Sequence, residues 1–277
     1  MKKVDIHCHV SPREIQGIVP KSANMSAIAA EMKKHDIELT VLLATYFPHK
    51  KSGISNFRLH DWVKDNKRFI MFGSLDFEHY FYQGYNELEE MCIRSLIEGI
   101  KIYTCYQKVE INSREFKKVM ELARDYKKPV MFHAGYSYAS KRKYGMDTIS
   151  TPYSALSLEP VAKMYPEVSF IFSHMSKPFF HDMVAVAKRN SNVFTDMSGL
   201  IDSAFDQNEI NICIEEIKTF VGECGSEKLL FGTDFPVQTH EHSIHFIEKA
   251  VKNEKDKENI YCNNAFKLLR AATQGSQ

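Results

Sequence analysis

Eight short apolar runs, many rich in β-branched residues and most of them separated by stretches of helical pattern, predict an α/β chain folded as a TIM-type (β/α)8 barrel. The runs recur near residues 4–9, 39–45, 69–75, 97–103, 129–134, 168–174, 192–197 and 228–233. Strands that alternate with helices form a parallel sheet, and eight such units close on themselves. A second observation points the same way. A histidine or an aspartate closes four of the runs: His7 and His9 the first, His133 the fifth, His174 the sixth and Asp234 the eighth. A closed barrel gathers these ends at one mouth, whereas an open doubly wound sheet would not, and no glycine-rich phosphate loop follows the first run.

The first run, Val4-Asp5-Ile6, leads into His7-Cys8-His9. In a strand, residues two apart share a face, so both imidazoles converge while Cys8 points outward into packing. Asp5 is expected to be buried low in the barrel, hydrogen-bonded and structural. Ile28, Ala29 and Met32 mark the buried face of a first helix. On the fourth run Lys101 and Tyr103 share the inward face. Phe116, Val119, Met120 and Ala123 follow the i, i+3, i+4, i+7 pattern of a helix, with Asn112 and Glu115 placed to act as a capping box. Pro129, Pro166 and Pro236 punctuate junctions between elements. After the eighth run, His240, His242 and His245 fall on a helix and are read as its solvated or partly buried surface, as are His35, His49, His60, His79 and His181 elsewhere. The tail beyond Ala271 is expected to fray.

The whole chain, residues 1–277, is expected to form one domain, and its length suffices for a large core. Thirty-six basic residues face 35 acidic ones, a net charge of +1, so no overall field draws in nucleic acid or an anionic membrane. No apolar stretch reaches the roughly 20 residues of a membrane span, and the amino terminus reads as a strand, not a secretion signal. Six cysteines without C-x-x-C spacing suit reduced thiols in a cytoplasm. The expected partner is a small molecule. Such barrels accommodate homodimers, though no sequence feature specifies one.

Neutral imidazoles with one carboxylate and an open coordination position describe a catalytic metal site of the zinc type. Such a metal lowers the pKa of bound water toward ~7 and polarises an ester, amide or carboxylate oxygen. The plainer alternatives are that Asp234 caps the following helix and that Lys141, Arg142 and Lys143 form a solubilising loop. The same basic cluster is also a candidate to recruit an anionic substrate.

Taken in order, Asp5-x-His7-x-His9, Gly99-Ile100-Lys101-Ile102-Tyr103, Pro129-Val130-Met131-Phe132-His133-Ala134-Gly135, Ser173-His174-Met175, Asp196-Met197-Ser198, Phe231-Gly232-Thr233-Asp234-Phe235-Pro236 and Asn264-Ala265-x-x-Leu268-Leu269 resemble the amidohydrolase superfamily. The spacing is similar to the amidohydrolase-2 branch, which contains hydrolases, lactonases and aminocarboxymuconate semialdehyde decarboxylase-like enzymes. The resemblance implies that His7, His9, His133 and Asp234 bind one divalent transition metal, zinc by default with manganese or iron as substitutes. It implies that Asp234 also shuttles a proton and that His174 orients or activates water or polarises the substrate. Lys101 stands where binuclear members carry a carbamylated bridging lysine. A cationic Lys101 would instead bind a substrate carboxylate, and a single metal is the expectation. Lys101, Tyr103, Arg13 and Lys177 are the candidate substrate-binding residues, Lys177 because Met175-Ser176-Lys177-Pro178 replaces the glycine pair that often follows this histidine. The implied function is hydrolysis of a small ester, lactone or amide, with non-oxidative decarboxylation of an aromatic or unsaturated acid as the alternative. A TatD-like nuclease would want a glutamate where Lys101 stands, and a phosphoesterase of the polymerase-and-histidinol-phosphatase type would want a histidine after Asp234-x.

Overall fold

A computed structural model describes residues 1–12, 14, 23–46, 53–135, 153–201 and 205–273, with side chains to 269. Eight parallel strands lie in sequence order: β1 Lys3–Cys8, β2 Ile37–Leu43, β3 Phe69–Ser74, β4 Gly99–Ile102, β5 Val130–Phe132, β6 Phe170–Phe172, β7 Val193–Asp196 and β8 Leu229–Leu230. Helices intervene: α1 Met25–Lys34, α2 Asn56–Val63, α3 Phe81–Ile93, α4 Arg114–Asp125, α5 Ala155–Met164, α6 Phe180–Arg189, α7 Gln207–Cys224 and α8 His240–Ala250, followed by α9 Glu254–Glu258 and α10 Asn264–Thr273. The predicted barrel is therefore observed. It closes through backbone bonds beyond the two-residue β8: Ile6 N to Phe231 O at 3.0 Å, Asp234 N to His7 O at 2.7 Å and His9 N to Phe235 O at 2.9 Å.

Two apolar layers follow from the period of two. Val4, Ile6, Val41, Leu43, Phe72, Met131, Ile171 and Leu230 fill the barrel, joined by Ala265, Leu268 and Leu269 of α10. Alternate residues such as Leu42, Ile100, Ile102, Val130, Phe132 and Phe170 face outward against Ile28, Met32, Leu88, Phe116, Val119 and Phe220 of the helices. Both strand faces are thus dry, which explains runs that are nearly continuous in apolar residues. Gly99 is small because a Cβ there would stand 2.6 Å from the Phe72 ring.

The cap of α4 differs from the expectation. Ser113, one residue after Asn112, accepts from Phe116 N at 3.1 Å, so Glu115 falls at the second helical position and cannot close the box. A full capping box occurs instead at α7, between Asp206 and Glu209. Among the described residues no helix is long and apolar enough to cross a membrane.

Candidate metal centre

Strand β1 does not keep one register. Asp5 pairs with Thr40 and Cys8 with Leu42, three residues on β1 against two on β2. This bulge changes which residues face inward. Val4 and Ile6 point into the barrel, Asp5 points outward, and beyond the bulge Cys8 packs outward so that His7 and His9 both turn inward. Asp5 is fully buried as expected, but on the outer face of the strand. Its Oδ1 accepts from His7 N and Thr233 N at 3.1 Å each, and its Oδ2 from Thr233 Oγ1 at 2.7 Å.

At the carboxyl ends of the strands the other candidates converge. His133 directly follows β5, and His174 lies in a short turn, Ser173–Ser176, that continues β6. His174, Met175 and Ser176 all hold positive φ, at 61°, 48° and 57°, and Asp234 does so at 60°. Each costs about 1 kcal/mol or more in a residue with a side chain and persists only where contacts enforce it. They do so here: His174 N donates to Asp196 Oδ1 at 3.1 Å, Ala155 N to Ser176 Oγ at 2.9 Å, and Asp234 N to His7 O.

Asp196, the last residue of β7, organises the histidines. Its Oδ2 lies 3.0 Å from His7 Nδ1, while its Oδ1 accepts from His174 N, Ser198 N and Ser198 Oγ at 3.1, 3.1 and 2.5 Å. A carboxylate only accepts, so His7 carries its proton on Nδ1 and presents the Nε2 lone pair to the mouth. His174 Nδ1 likewise donates to Ser198 O at 2.9 Å, leaving its Nε2 as an acceptor 3.2 Å from His133 Nδ1. Sequence reasoning placed Asp196 and Ser198 in a motif without giving them a role; the signal was a carboxylate on the inward phase at a strand end.

Asp234 Oδ1 lies 3.1 Å from His9 Nε2 and 3.5 Å from His7 Nε2. Donor atoms of His7, His174 and Asp234 lie within 4.8 Å of one another. His9 joins this triple through Asp234, and His133 through His174. Burial pushes His7 down to about 3, with Lys101 adding to the effect and Asp196 opposing it. Burial likewise holds His133 well below the usual imidazole range and lowers His174. Burial alone would raise both carboxyls. The His9 hydrogen bond and the charges of His7 and His9 outweigh it at Asp234, which falls to about 2, and His7, His174 and Lys101 hold Asp196 low. At neutral pH His7, His133 and His174 are therefore neutral, and Asp196 and Asp234 are ionised.

Lys101 is fully buried, its ammonium donating to Ser173 Oγ at 3.0 Å. Burial lowers it to about 8, partly offset by Asp196 and Asp234, so it is cationic at pH 7. The Tyr103 hydroxyl donates to Ala44 O at 2.9 Å, and its ring walls the site 6.3 Å from His9. Lys177 requires a correction. Its ammonium is committed to α7, 2.9 Å from Glu216 Oε2 and 3.1 Å from Cys213 Sγ, which satisfies the charge there instead of at the mouth. Arg13 lies outside the described residues, as do His49 and Lys141, Arg142 and Lys143. His240 is also corrected: it is fully buried, its Nε2 3.2 Å from Asp5 Oδ2.

The donor set suits a metal. Metal–nitrogen bonds of ~2.1 Å put adjacent ligand atoms roughly 3.0–3.4 Å apart, and the contacts around Asp234 and between His133 and His174 run from 3.1 to 3.5 Å. His9 Nδ1 and His133 Nε2 are buried without a hydrogen-bond partner among the described residues.

Three solved structures illustrate the likeness of fold. An amidohydrolase from Burkholderia multivorans with bound zinc superposes at a TM-score of 0.76, with 11% identity over 98% of this chain and 99% of that one. A probable 2-pyrone-4,6-dicarboxylic acid hydrolase from Acinetobacter baumannii, with citric acid bound, gives 0.71, 17%, 98% and 100%. A dihydroxybenzoic acid decarboxylase from a Polaromonas species, with bound manganese, gives 0.68, 17%, 97% and 97%. No curated protein sequence matches significantly. Residues 4–271 match the amidohydrolase sequence profile, which takes in both ends of the barrel and every candidate at its mouth. The chain thus belongs to the amidohydrolase family, in its amidohydrolase-2 branch.

Proposed function

We propose that this chain is a metal-dependent hydrolase of a small ester, lactone or amide that carries a carboxylate. The observation that supports this most is the ionised Asp234, held between the imidazoles of His7 and His9 and sharing their buried mouth with the cationic Lys101. His7, His9, His133 and Asp234 would hold one divalent transition metal, zinc by default, with His174 beside them. Bound there, the metal would supply Lewis acidity, making water more acidic and a carbonyl carbon more electrophilic.

The remaining work falls to the chain's own groups. Asp234 is ionised, so its carboxylate would be open to take the proton of the attacking water and hand it to the departing oxygen or nitrogen. His174 is fixed as an Nε2 acceptor by its bond to Ser198 O, so it orients the water and does not donate to an oxyanion. Lys101 would pair with the substrate carboxylate, orienting the scissile bond over the donors. Relatives of this fold include a hydrolase and decarboxylases, and the same residues could hold a carboxylate for loss of carbon dioxide.

The test is plasma mass spectrometry of the purified protein and of Lys101→Ala, joined to assays of carboxylated lactones with carbon dioxide detection. About one equivalent of metal in both proteins, with ring opening and no carbon dioxide, is the expected result. Stoichiometric carbon dioxide would assign decarboxylation. Two equivalents that fall in Lys101→Ala would make that lysine a bridge, and no uptake even after metal addition would overturn the proposal.

A further inference from the structure

Ser173 opens the turn that carries His174, and the proposed chemistry leaves it unused. Both it and Lys101 are fully buried, and the period of two explains why they meet. On β6 Phe172 packs outward and Ile171 inward, which returns Ser173 to the inside; on β4 Ile100 and Ile102 pack outward and leave Lys101 inside. Strand β5 lies between the two, and across it the Lys101 ammonium donates to Ser173 Oγ at 3.0 Å.

Among the described residues that hydroxyl is the ammonium's single hydrogen-bond acceptor. Its other neighbour is the Tyr103 ring, whose centroid lies 5.3 Å from Nζ and whose attraction has no fixed direction. Two carboxylates compete for the same charge. Asp196 and Asp234 are near enough to oppose the effect of burial on Lys101, yet their charged contacts among the described residues are with His7 and His9. A lysine head on a long flexible stem moves to a nearby carboxylate when nothing else engages it, and the attraction is far stronger in a buried setting than in water. A hydroxyl that takes one of the ammonium's N–H groups opposes that movement in a definite direction.

We infer that Ser173 is a positioning residue: its hydroxyl tethers the Lys101 ammonium apart from Asp196 and Asp234, which keeps the cation for a substrate carboxylate and keeps those two carboxylates on the histidines. The inference rests on the reading of His7, His9, His133 and Asp234 as metal ligands and of Lys101 as the partner of the substrate. Without the tether, an ammonium on Asp234 would occupy a donor oxygen and set a positive charge beside the ion, and one on Asp196 would compete with His7 Nδ1. Either would weaken the centre by about 10–100-fold in metal affinity, the typical cost of disturbing the contacts behind a ligand.

The experiment is zinc titration against a chromophoric chelator for wild type, Ser173→Ala, Lys101→Met and the double variant, with thermal unfolding of each metal-free protein in parallel. The dissociation constant for zinc is expected to rise about 10–100-fold in Ser173→Ala and to stay within about threefold of wild type in Lys101→Met, which has no charge to release. The double variant decides between a tether and a merely structural role. Removing the lysine should restore the affinity that Ser173→Ala loses, to within about threefold of Lys101→Met, because the harm comes from the released ammonium and not from the missing oxygen. A loss that persists in the double variant, or unchanged affinity in a folded Ser173→Ala, would overturn the inference while wild-type binding left the metal reading intact. Should Ser173→Ala fail to fold, Ser173→Cys, whose thiol accepts only weakly, takes its place both alone and with Lys101→Met. If the wild-type protein takes up no zinc, the metal reading itself has failed, and this inference with it.

Discussion

Replacing Asp196 by asparagine tests the arrangement that sets the histidines. Four donors meet this carboxylate: His7 Nδ1 at Oδ2, and His174 N, Ser198 N and Ser198 Oγ at Oδ1. Asparagine has one acceptor oxygen and cannot serve both sides. With its oxygen toward His174 N and Ser198 N, its amide nitrogen faces His7 Nδ1. His7 must then turn its Nδ1 proton to Ser198 Oγ, 2.9 Å away, or move it to Nε2 and give up the lone pair it aims at the mouth. With the amide turned over, His7 is satisfied but two buried backbone N–H groups lose their acceptor, at about 1–3 kcal/mol each. The chain adopts the cheaper state, so the penalty on metal binding is set by the smaller of the two, about 1.4–2.7 kcal/mol, or 10–100-fold in affinity. Chelator competition on Asp196→Asn measures it directly, with circular dichroism to show that the barrel is intact. An affinity within about threefold of wild type in a folded protein would refute the argument, because it would mean that neither the tautomer of His7 nor the placement of His174 depends on this carboxylate.

Lys101→Met should leave the metal content unchanged and raise KM for a carboxylated substrate by about 10–100-fold, the worth of a charge-assisted hydrogen bond of about 1.5–3 kcal/mol; falling metal content would mean a bridging role. The same variant should melt higher in its metal-free form at pH 7. Burial lowers the folded pKa of Lys101 from its ordinary 10.5 to about 8, so the ammonium opposes folding below pH 8, by about 3 kcal/mol, and that penalty is relieved as pH rises from 8 to above 10.5. Urea unfolding at pH 7 and pH 10.5 checks the sign: the gap between variant and wild type must narrow at the higher pH. Gly199→Ala should weaken metal uptake and cost about 1–2 kcal/mol of stability, since φ is 55° there and a Cβ would stand 2.7 Å from Asp234 Oδ2 and 3.0 Å from His174 Nδ1; normal uptake would show that this wall yields. Glu159, hydrogen-bonded by Arg189 at 2.5 and 2.6 Å against the opposing effect of burial, is depressed to about 2 from 4.5. A depressed carboxyl stabilises the fold above its unfolded pKa and loses that contribution as pH falls through the folded one. Urea midpoints of wild type and Glu159→Gln should therefore differ most above pH 5 and converge by about pH 2, and a gap that persists there would count against the pair.

The barrel was legible because its strands are dry on both faces. Even β5 and β6, three residues each, stand out as Val130, Met131 and Phe132 and as Phe170, Ile171 and Phe172, since the interior and the helices each claim alternate side chains. The histidines were legible for a related reason, each following an apolar run on the inward phase. What the sequence concealed lies where that phase breaks. Period two places Asp5, His7 and His9 on one face, but the bulge on β1 sends Asp5 outward to Thr233 and His240 while both histidines turn in. Lys177 follows His174 by three residues and reads as a neighbour of the site. Three successive left-handed residues, His174 to Ser176, precede it, and its ammonium lies on Glu216 instead. His240 reads as helix surface because it sits at the helix start, where only the tertiary contact with Asp5 reveals that it is buried.

These departures share a location, and that carries an argument of its own. Regular parallel strands would end with carbonyls and side chains splayed around the rim, each imidazole on its own radius. The bulge on β1, the left-handed turn after β6 and the left-handed Asp234 after β8 each bend the chain inward at the point where a donor must reach its neighbours. Each costs free energy that no apolar contact at the rim returns: Asp5 holds the first through His7 N, Asp196 the second through His174 N, and His7 O the third through Asp234 N, with Asp5 on the adjacent Thr233, and the two carboxylates make no contribution to the apolar core. Local rules of pattern and propensity fail where a functional site overrides them. The failure of period two at Asp5 and His7 therefore locates the centre as surely as the histidines do, and it makes the two carboxylates, more than the ligands themselves, the groups on which the geometry of the centre depends.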